Sequence, residues 1–366
     1  MWFTEKNAIE TIIYISNERN ILPKFSVRAG FRLSSWKNIG ESVEYKFDDF
    51  HRPVDTTFYE AGKSYHTYTN LEPRIGLNYR ITESVSLKAS YANTVQYIQL
   101  ITNSISPFTS LEVWLPSGPN IKPQKARQVS LGYYRKFRHQ GVHLNIEAFY
   151  KHMDQQTDYE YHAKMLLNPL IEGELRFGYA KSYGIEFFLK KDKGRLNGWF
   201  GYSLSKTRKK IEELYKGKSF PAFYDRPHDI SVYLSYKAKP RWRVASNWIF
   251  TSGAAITTPS GFYYYQGHSV PIYNKKNNDR LPDYHRLDIS ATFQLNKTKR
   301  NFKHDLTLSI YNVYGRENPI SVNLSKIIGY DNKISIPANY LTKPEYIPTM
   351  IYLYKTIPSI TYNFRF

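Results

Sequence analysis

Polar and apolar side chains take turns from Ile357 to Phe366, so that in an extended chain Ile360, Tyr362, Phe364 and Phe366 share one face while Ser359, Thr361, Asn363 and Arg365 share the other. The same period of two recurs far upstream. Asp288, Ser290, Thr292 and Gln294 alternate with Ile289, Ala291, Phe293 and Leu295; Ser26, Arg28, Gly30, Arg32 and Ser34 alternate with Phe25, Val27, Ala29, Phe31 and Leu33. Asn145 and Glu147 alternate with Leu144, Ile146, Ala148 and Tyr150, and Asp229, Ser231, Tyr233 and Ser235 with Ile230, Val232 and Leu234. No helical repeat competes. Strands that are apolar on one side and wet on the other predict an all-β fold, an antiparallel barrel with one face in hydrocarbon and one facing water.

Thirteen strands are expected, over 8–17, 24–35, 68–80, 85–98, 124–137, 141–158, 172–191, 196–210, 226–238, 241–252, 283–295, 302–326 and 346–366. Short connections near 18–23, 81–84, 138–140, 192–195, 239–240 and 296–301 alternate with long ones near 36–67, 99–123, 159–171, 211–225, 253–282 and 327–345. Outer-membrane barrels sort their turns in this way, short ones in the periplasm and long ones outside, which puts the C-terminus on the periplasmic side. The first and last strands run in the same direction and do not close an antiparallel barrel, and an open edge is not tolerated in lipid. Met1–Lys6 also lacks the basic start and apolar core of a secretory signal. Residues 1–366 are therefore expected to be the C-terminal portion of a longer barrel, or one product of a cleaved or split one.

A mean hydropathy of -0.55 and the lack of any apolar run near 18 residues leave strands as the means of crossing a membrane. Thirty-three tyrosines among 16% aromatic residues suit girdles at the two membrane interfaces. The net charge of +20 would ordinarily suggest nucleic acid. Much of it, however, sits in tight connections, at Lys190–Arg195, Lys237–Arg241 and Lys297–Arg300, where it would line a membrane rim against anionic headgroups. Zero cysteines excludes thiolate metal sites and cysteine nucleophiles. Histidine spacing offers no metal site, and no phosphate loop or other cofactor signature appears.

Several segments resemble the TonB-dependent receptors, 22-stranded outer-membrane transporters whose N-terminal plug fills the barrel. They are Asn120–Pro123 with Gln128–Tyr133, Arg176–Glu186, Asp225–Asp229, Leu281–Asp288, Ser309–Tyr314 and the terminal Phe366, in the order the family has them. The resemblance implies that the thirteen strands are the last thirteen of the barrel, with plug and early strands on a complementary N-terminal part. It implies as partners the TonB complex acting through that plug, the lipid bilayer with its lipopolysaccharide, the barrel-assembly machinery and a surface lipoprotein lid. The function it implies is import of a scarce solute such as a siderophore, haem, cobalamin, glycan or peptide. A self-contained porin of 12 or 14 strands and an outer-membrane hydrolase are the rival readings.

Candidate ligand contacts lie on the expected outer loops and rim. Trp114 stands among Pro116, Gly118 and Pro119, and Tyr263, Tyr264 and Tyr265 lie between Gly261 and Gly267; such aromatic groups stack on rings. Asp225, Arg226 and His228 lie at a strand entrance, where they would brace the rim or meet ligand, and Arg286 and Asp288 share a polar face near another. Glu147, Glu186, Arg28 and Arg32 are expected to face the lumen and the plug, with the two carboxylates paired to arginines of plug or wall. Tyr362, Phe364 and Phe366 form the C-terminal assembly signal that the resemblance implies. Ser203 and Lys206 have the spacing of a serine-lysine catalytic pair, but in a strand they point to opposite faces.

Overall fold

Alternating sequence needs a neighbour on each side to satisfy its backbone, and it finds them in chain order. The computed structural model describes residues 5–101, 113–266, 268–296, 302–326 and 346–365. Its main sheet is an antiparallel series of thirteen strands, each paired with its sequence neighbours. We label them β1 (Asn7–Leu22), β2 (Phe25–Ile39), β3 (Ser64–Thr82), β4 (Val85–Gln96), β5 (Gln124–Phe137), β6 (Val142–Tyr159) and β7 (Leu175–Lys191). The series continues with β8 (Leu196–Ile211), β9 (His228–Lys239), β10 (Trp242–Thr251), β11 (Tyr284–Gln294), β12 (Lys303–Tyr311) and β13 (Ile357–Arg365). A two-residue strand, Phe220–Pro221, adds to β8. Each of the thirteen corresponds to a predicted segment, and short and long connections alternate as the sequence indicates.

Two predicted strands were too long. Residues 302–326 and 346–366 each break in two, because Asn312, at φ 52, turns the chain out of the sheet after β12. Its side-chain amide then donates to the carbonyls of Arg316 and Lys355, both at 2.9 Å, while Thr356 Oγ1 donates to the Asn312 carbonyl. The outer halves, Ser321–Lys326 and Tyr346–Ile351, form a separate antiparallel hairpin. The long connections are also more ordered than the expected loops: Ser42–Phe47 pairs with Pro53–Tyr59, Ile98–Ile101 with Val113–Pro116, and Gly261–Tyr265 with His268–Ile272. At the other end the turns are tight, and Gly194, at φ 94, takes a backbone conformation that a side chain would strain.

Register resolves the two faces. Leu131, Ala148, Ile185 and Leu204 stand side by side across β5 to β8, and Leu131, Ile185 and Leu204 remain 61%, 45% and 41% exposed. One residue along, Gly132, Glu147, Glu186, Ser203 and Asp229 form a row on the opposite face. At the last strand Ile360, Tyr362 and Phe364 are exposed on the apolar side, while Thr361 and Asn363 continue the polar side opposite Thr307 and Asp305. The chain thus leaves its apolar strand faces uncovered instead of packing them against one another. Its buried apolar clusters lie in the long connections and the strand ends beside them: Ile101, Leu115, Ile121, Tyr159 and Leu175 make one, and Ile211, Leu214 and Phe220 a second.

Candidate functional site

The connection after β4 is drawn over the polar face by hydrogen bonds that its sequence does not advertise. Trp36 Nε1 and Asn38 Nδ2 both donate to the Ser117 carbonyl, at 3.0 and 2.9 Å, and Tyr68 OH donates to the Gly118 carbonyl. Beneath it, Tyr97 stacks on Trp36 at 5.3 Å, and its hydroxyl meets Ser34 and the Asn70 amide, each at 2.8 Å. So fixed, the paired strands Ile98–Ile101 and Val113–Pro116 present Trp114, 63% exposed, to a cavity of about 480 Å³. Leu115 beside it, and Phe47, Met165, Leu166 and Ile171 from two further connections, supply apolar lining. Lys6 stands in the same wall, 3.2 Å from Glu44 Oε1 and in direct contact with Glu172. Burial would lower the pKa of this ammonium, but the two carboxylates outweigh it and hold it above the ordinary lysine value. A charged tie of this kind beneath an apolar rim can orient a solute that carries both polar and aromatic groups.

The other aromatic candidates do not join this cavity. Tyr263 and Tyr265 are exposed on one face of their own hairpin; the side chain of Tyr264 and all of Phe366 lie outside the described residues. The Asp225 cluster is split by its backbone. Asp225, 3% exposed, accepts from the Thr207 amide at 2.6 Å and contacts the Arg280 guanidinium, which also donates to the carbonyls of Asp225 and Gly253. Arg226 reaches Thr251 Oγ1 at 3.4 Å. His228 lies on the apolar side, stacked on Tyr202 with its Nδ1 3.0 Å from the hydroxyl, whereas Asp229 lies on the polar side in register with Ser203. No carboxylate approaches His228 among the described contacts, so the Asp-His pair that a hydrolase would need is not assembled here.

Across the polar face, Arg286 Nε donates to Asp288 Oδ2 at 3.0 Å, its Nη1 to the hydroxyls of Tyr284 and Tyr311, and its guanidinium lies over the Tyr311 ring. Asp288 Oδ1 accepts from the Asn312 amide, coupling this group to the end of β12. Arg32 bridges Glu10 and Glu72, each at 3.2 Å. With Arg28 and Arg74 it surrounds a depression of about 520 Å³ over Gly30 and Gly76. Glu147 and Glu186 face one another in register, and Glu147 accepts from Tyr134 OH at 2.7 Å instead of pairing with an arginine among the described residues. Tyr362 and Phe364 lie on the exposed apolar side, with the Tyr362 hydroxyl against His304.

Sequence reasoning missed the groups that hold the connections together. Gln156 donates to Gln124, and Gln124 and the Thr157 hydroxyl donate to Gln99, a polar chain across three segments. The buried Lys276 sits 2.9 Å from Asp158 Oδ1 and fixes the connection after β10 to the end of β6. The partners are separated by as many as 166 residues, as in the Lys6–Glu172 pair, and no local pattern marks them.

Residues 2–313 match the family described as TonB dependent receptor-like, beta-barrel. The ferric-catecholate import receptor Fiu from K12 E. coli, in its closed form, aligns with 98% of this chain and 45% of its own, at 17% identity and a TM-score of 0.59. The FrpB iron transporter from Neisseria meningitidis (F3-3 variant) aligns with 98% and 46%, at 16% identity and a TM-score of 0.58. The ferripyoverdine receptor of the Pseudomonas aeruginosa outer membrane bound to ferripyoverdine aligns with 98% and 39%, at 14% identity and a TM-score of 0.58. At these identities the likeness is one of fold, and the chain spans less than half the length of each structure. No curated protein sequence matches.

Proposed function

The chain belongs to the TonB-dependent receptor β-barrel family, and on that premise we propose that it forms the C-terminal part of an outer-membrane receptor that binds a scarce organic solute and passes it inward through a plugged lumen. The family is one of transport receptors and not of enzymes. In the proposed assembly the long connections face outward, the short turns and C-terminus face the periplasm, and a complementary part carries the early strands, the plug and the contact with the TonB complex. Support for the division comes from the sheet itself. Among the described residues β1 and β13 are each paired on one side only, and such edges need covering in lipid.

The observation that carries the reading is a sheet with an exposed apolar face and a continuous polar face, roofed at one end by the Trp114 cavity. A cavity of this size and lining suits a haem- or siderophore-sized solute with an aromatic surface. Ligand contacts are then Trp114 first, with the Tyr263–Tyr265 hairpin and the Arg286 and Asp288 group as further candidates. Asp225, Arg226 and His228 belong to the rim, and Tyr362, Phe364 and Phe366 to assembly. Glu147 and Glu186, with Arg28 and Arg32, face the plug: adjacent carboxylates with no arginine partner among the described residues are complementary to a cation brought by another segment.

Titrating the assembled receptor with ferric catecholates, haem and cobalamin tests the proposal. One of them should quench tryptophan fluorescence saturably, and Trp114→Ala should weaken that binding about tenfold. Binding that is unchanged in the variant would remove the cavity from the ligand path.

A further inference from the structure

The Trp114 cavity is negative in a chain whose net charge is +20. Among the described residues three charged side chains line it, Lys6, Glu44 and Glu172. Lys6 touches both carboxylates, which hold its ammonium above the ordinary lysine value, and it can neutralise only one of them. One negative charge is left over.

The surplus is supported by neutral groups. Glu172 Oε2 accepts from Asn120 Nδ2 at 2.6 Å, and Glu44 Oε1 accepts from Ser42 Oγ at 3.2 Å and from Tyr65 OH at 3.0 Å. These donors satisfy carboxylate oxygens without cancelling their charge. Asn168, also in the lining, donates to Glu174 at 3.4 Å. That carboxylate takes the Lys164 backbone amide at 3.2 Å and has no ion-pair partner among the described residues, so it adds to the same sign. Glu44 is 4% exposed, which leaves little water beside it to screen the field.

The rest of the lining is suited to a cation that is organic. The Trp114 indole is exposed to the cavity, with Tyr45 and Phe47 beside it, and an aromatic face attracts a cation more strongly where apolar walls keep water away. Leu115, Met165, Leu166 and Ile171 provide those walls. A space of about 480 Å³ is of the size that takes a small organic molecule.

We propose that the cavity selects a solute bearing a guanidinium or ammonium group on an aromatic or apolar body, the cation set against the Glu44 and Glu172 wall and the body against Trp114. This deepens the reading of the cavity as the solute site and rests on it. An anionic solute of the same size is disfavoured.

Equilibrium dialysis of the assembled receptor at low salt tests the sign with three probes of one shape: acetyl-phenylalanyl-arginine amide and its citrulline and glutamate counterparts. The arginine probe should bind on the order of tenfold tighter than the neutral citrulline probe and tighter still than the glutamate probe, with the margin shrinking as salt is added. Glu172→Gln should bring the arginine and citrulline probes to equal affinity, while Glu83→Gln, on a short turn at the other end, should keep the preference. The probe series on the unaltered receptor decides the matter even if Glu172→Gln does not assemble. Failure of the arginine probe to bind, equal affinity for it and the citrulline probe, or tighter binding of the glutamate probe would overturn the selection. Trp114→Ala separates the two readings. Should the probes bind without charge preference and lose affinity in that variant, the cavity remains the solute site and only its selectivity is refuted; should binding be the same with and without the indole, the solute site itself is refuted, and the selection with it.

Discussion

Asp225 shows how one side chain can look functional in sequence and hold the frame in three dimensions. It satisfies the Thr207 amide and the Arg280 guanidinium at once, so its removal leaves a half-buried cation and a backbone donor without partners. Asp225→Ala should therefore cost about 2 kcal/mol in urea unfolding, and adding Arg280→Ala should cost less than the sum of the two single changes. Trp114→Ala should change stability by no more than about 0.5 kcal/mol, since that ring is mostly exposed. The types of residue at the site were legible: an aromatic on a glycine- and proline-bounded loop, a charged cluster at a strand entrance. Their companions were not. Lys6 meets Glu172, and Lys276 meets Asp158, only because distant connections fold over one end of the sheet.

At the level of the strand, one residue decides between oil and water. Ile185 and Glu186 are adjacent in β7 and point to opposite faces, so a charge has opposite consequences at the two positions. Ile185→Lys should destabilise the folded receptor in bilayers by about 2–4 kcal/mol, the cost of a cation on the lipid face near mid-membrane, whereas Ser203→Lys on the polar face should be tolerated. Reversible unfolding in vesicles separates the two. Strand identity and face were readable because the period of two is local. The ends of β12 and β13 were not, because Asn312 and Thr356 stop the pairing through contacts between residues more than forty positions apart. Nor did alternation reveal the hairpins inside the long connections, where mixed polar and aromatic residues give no single buried face.

On the scale of the molecule, the thirteen strands form a wall with two free edges among the described residues, and its polar face carries charge in both signs. Glu147 and Glu186, side by side, repel one another in this chain alone, so Glu186→Gln should stabilise the isolated chain slightly while weakening its association with a plug-bearing part. Thermal melts of the separate chain and pull-down of the complementary part give the two readings. The order and number of the strands were legible from the alternation of short and long connections. In the proposed assembly, what covers the edges is a partner surface, which no periodicity within these residues encodes.

The absence of cysteine lets a single label be placed at each position from 183 to 188 without competition. Spin labels at these six sites in vesicle-embedded receptor report collision with oxygen, which concentrates in hydrocarbon, and with a water-soluble nickel chelate. Oxygen contact should peak at 183, 185 and 187 and nickel contact at 184, 186 and 188. Accessibilities that fail to alternate, or that are low to both reagents throughout, would contradict a wall with lipid on one side and an aqueous lumen on the other.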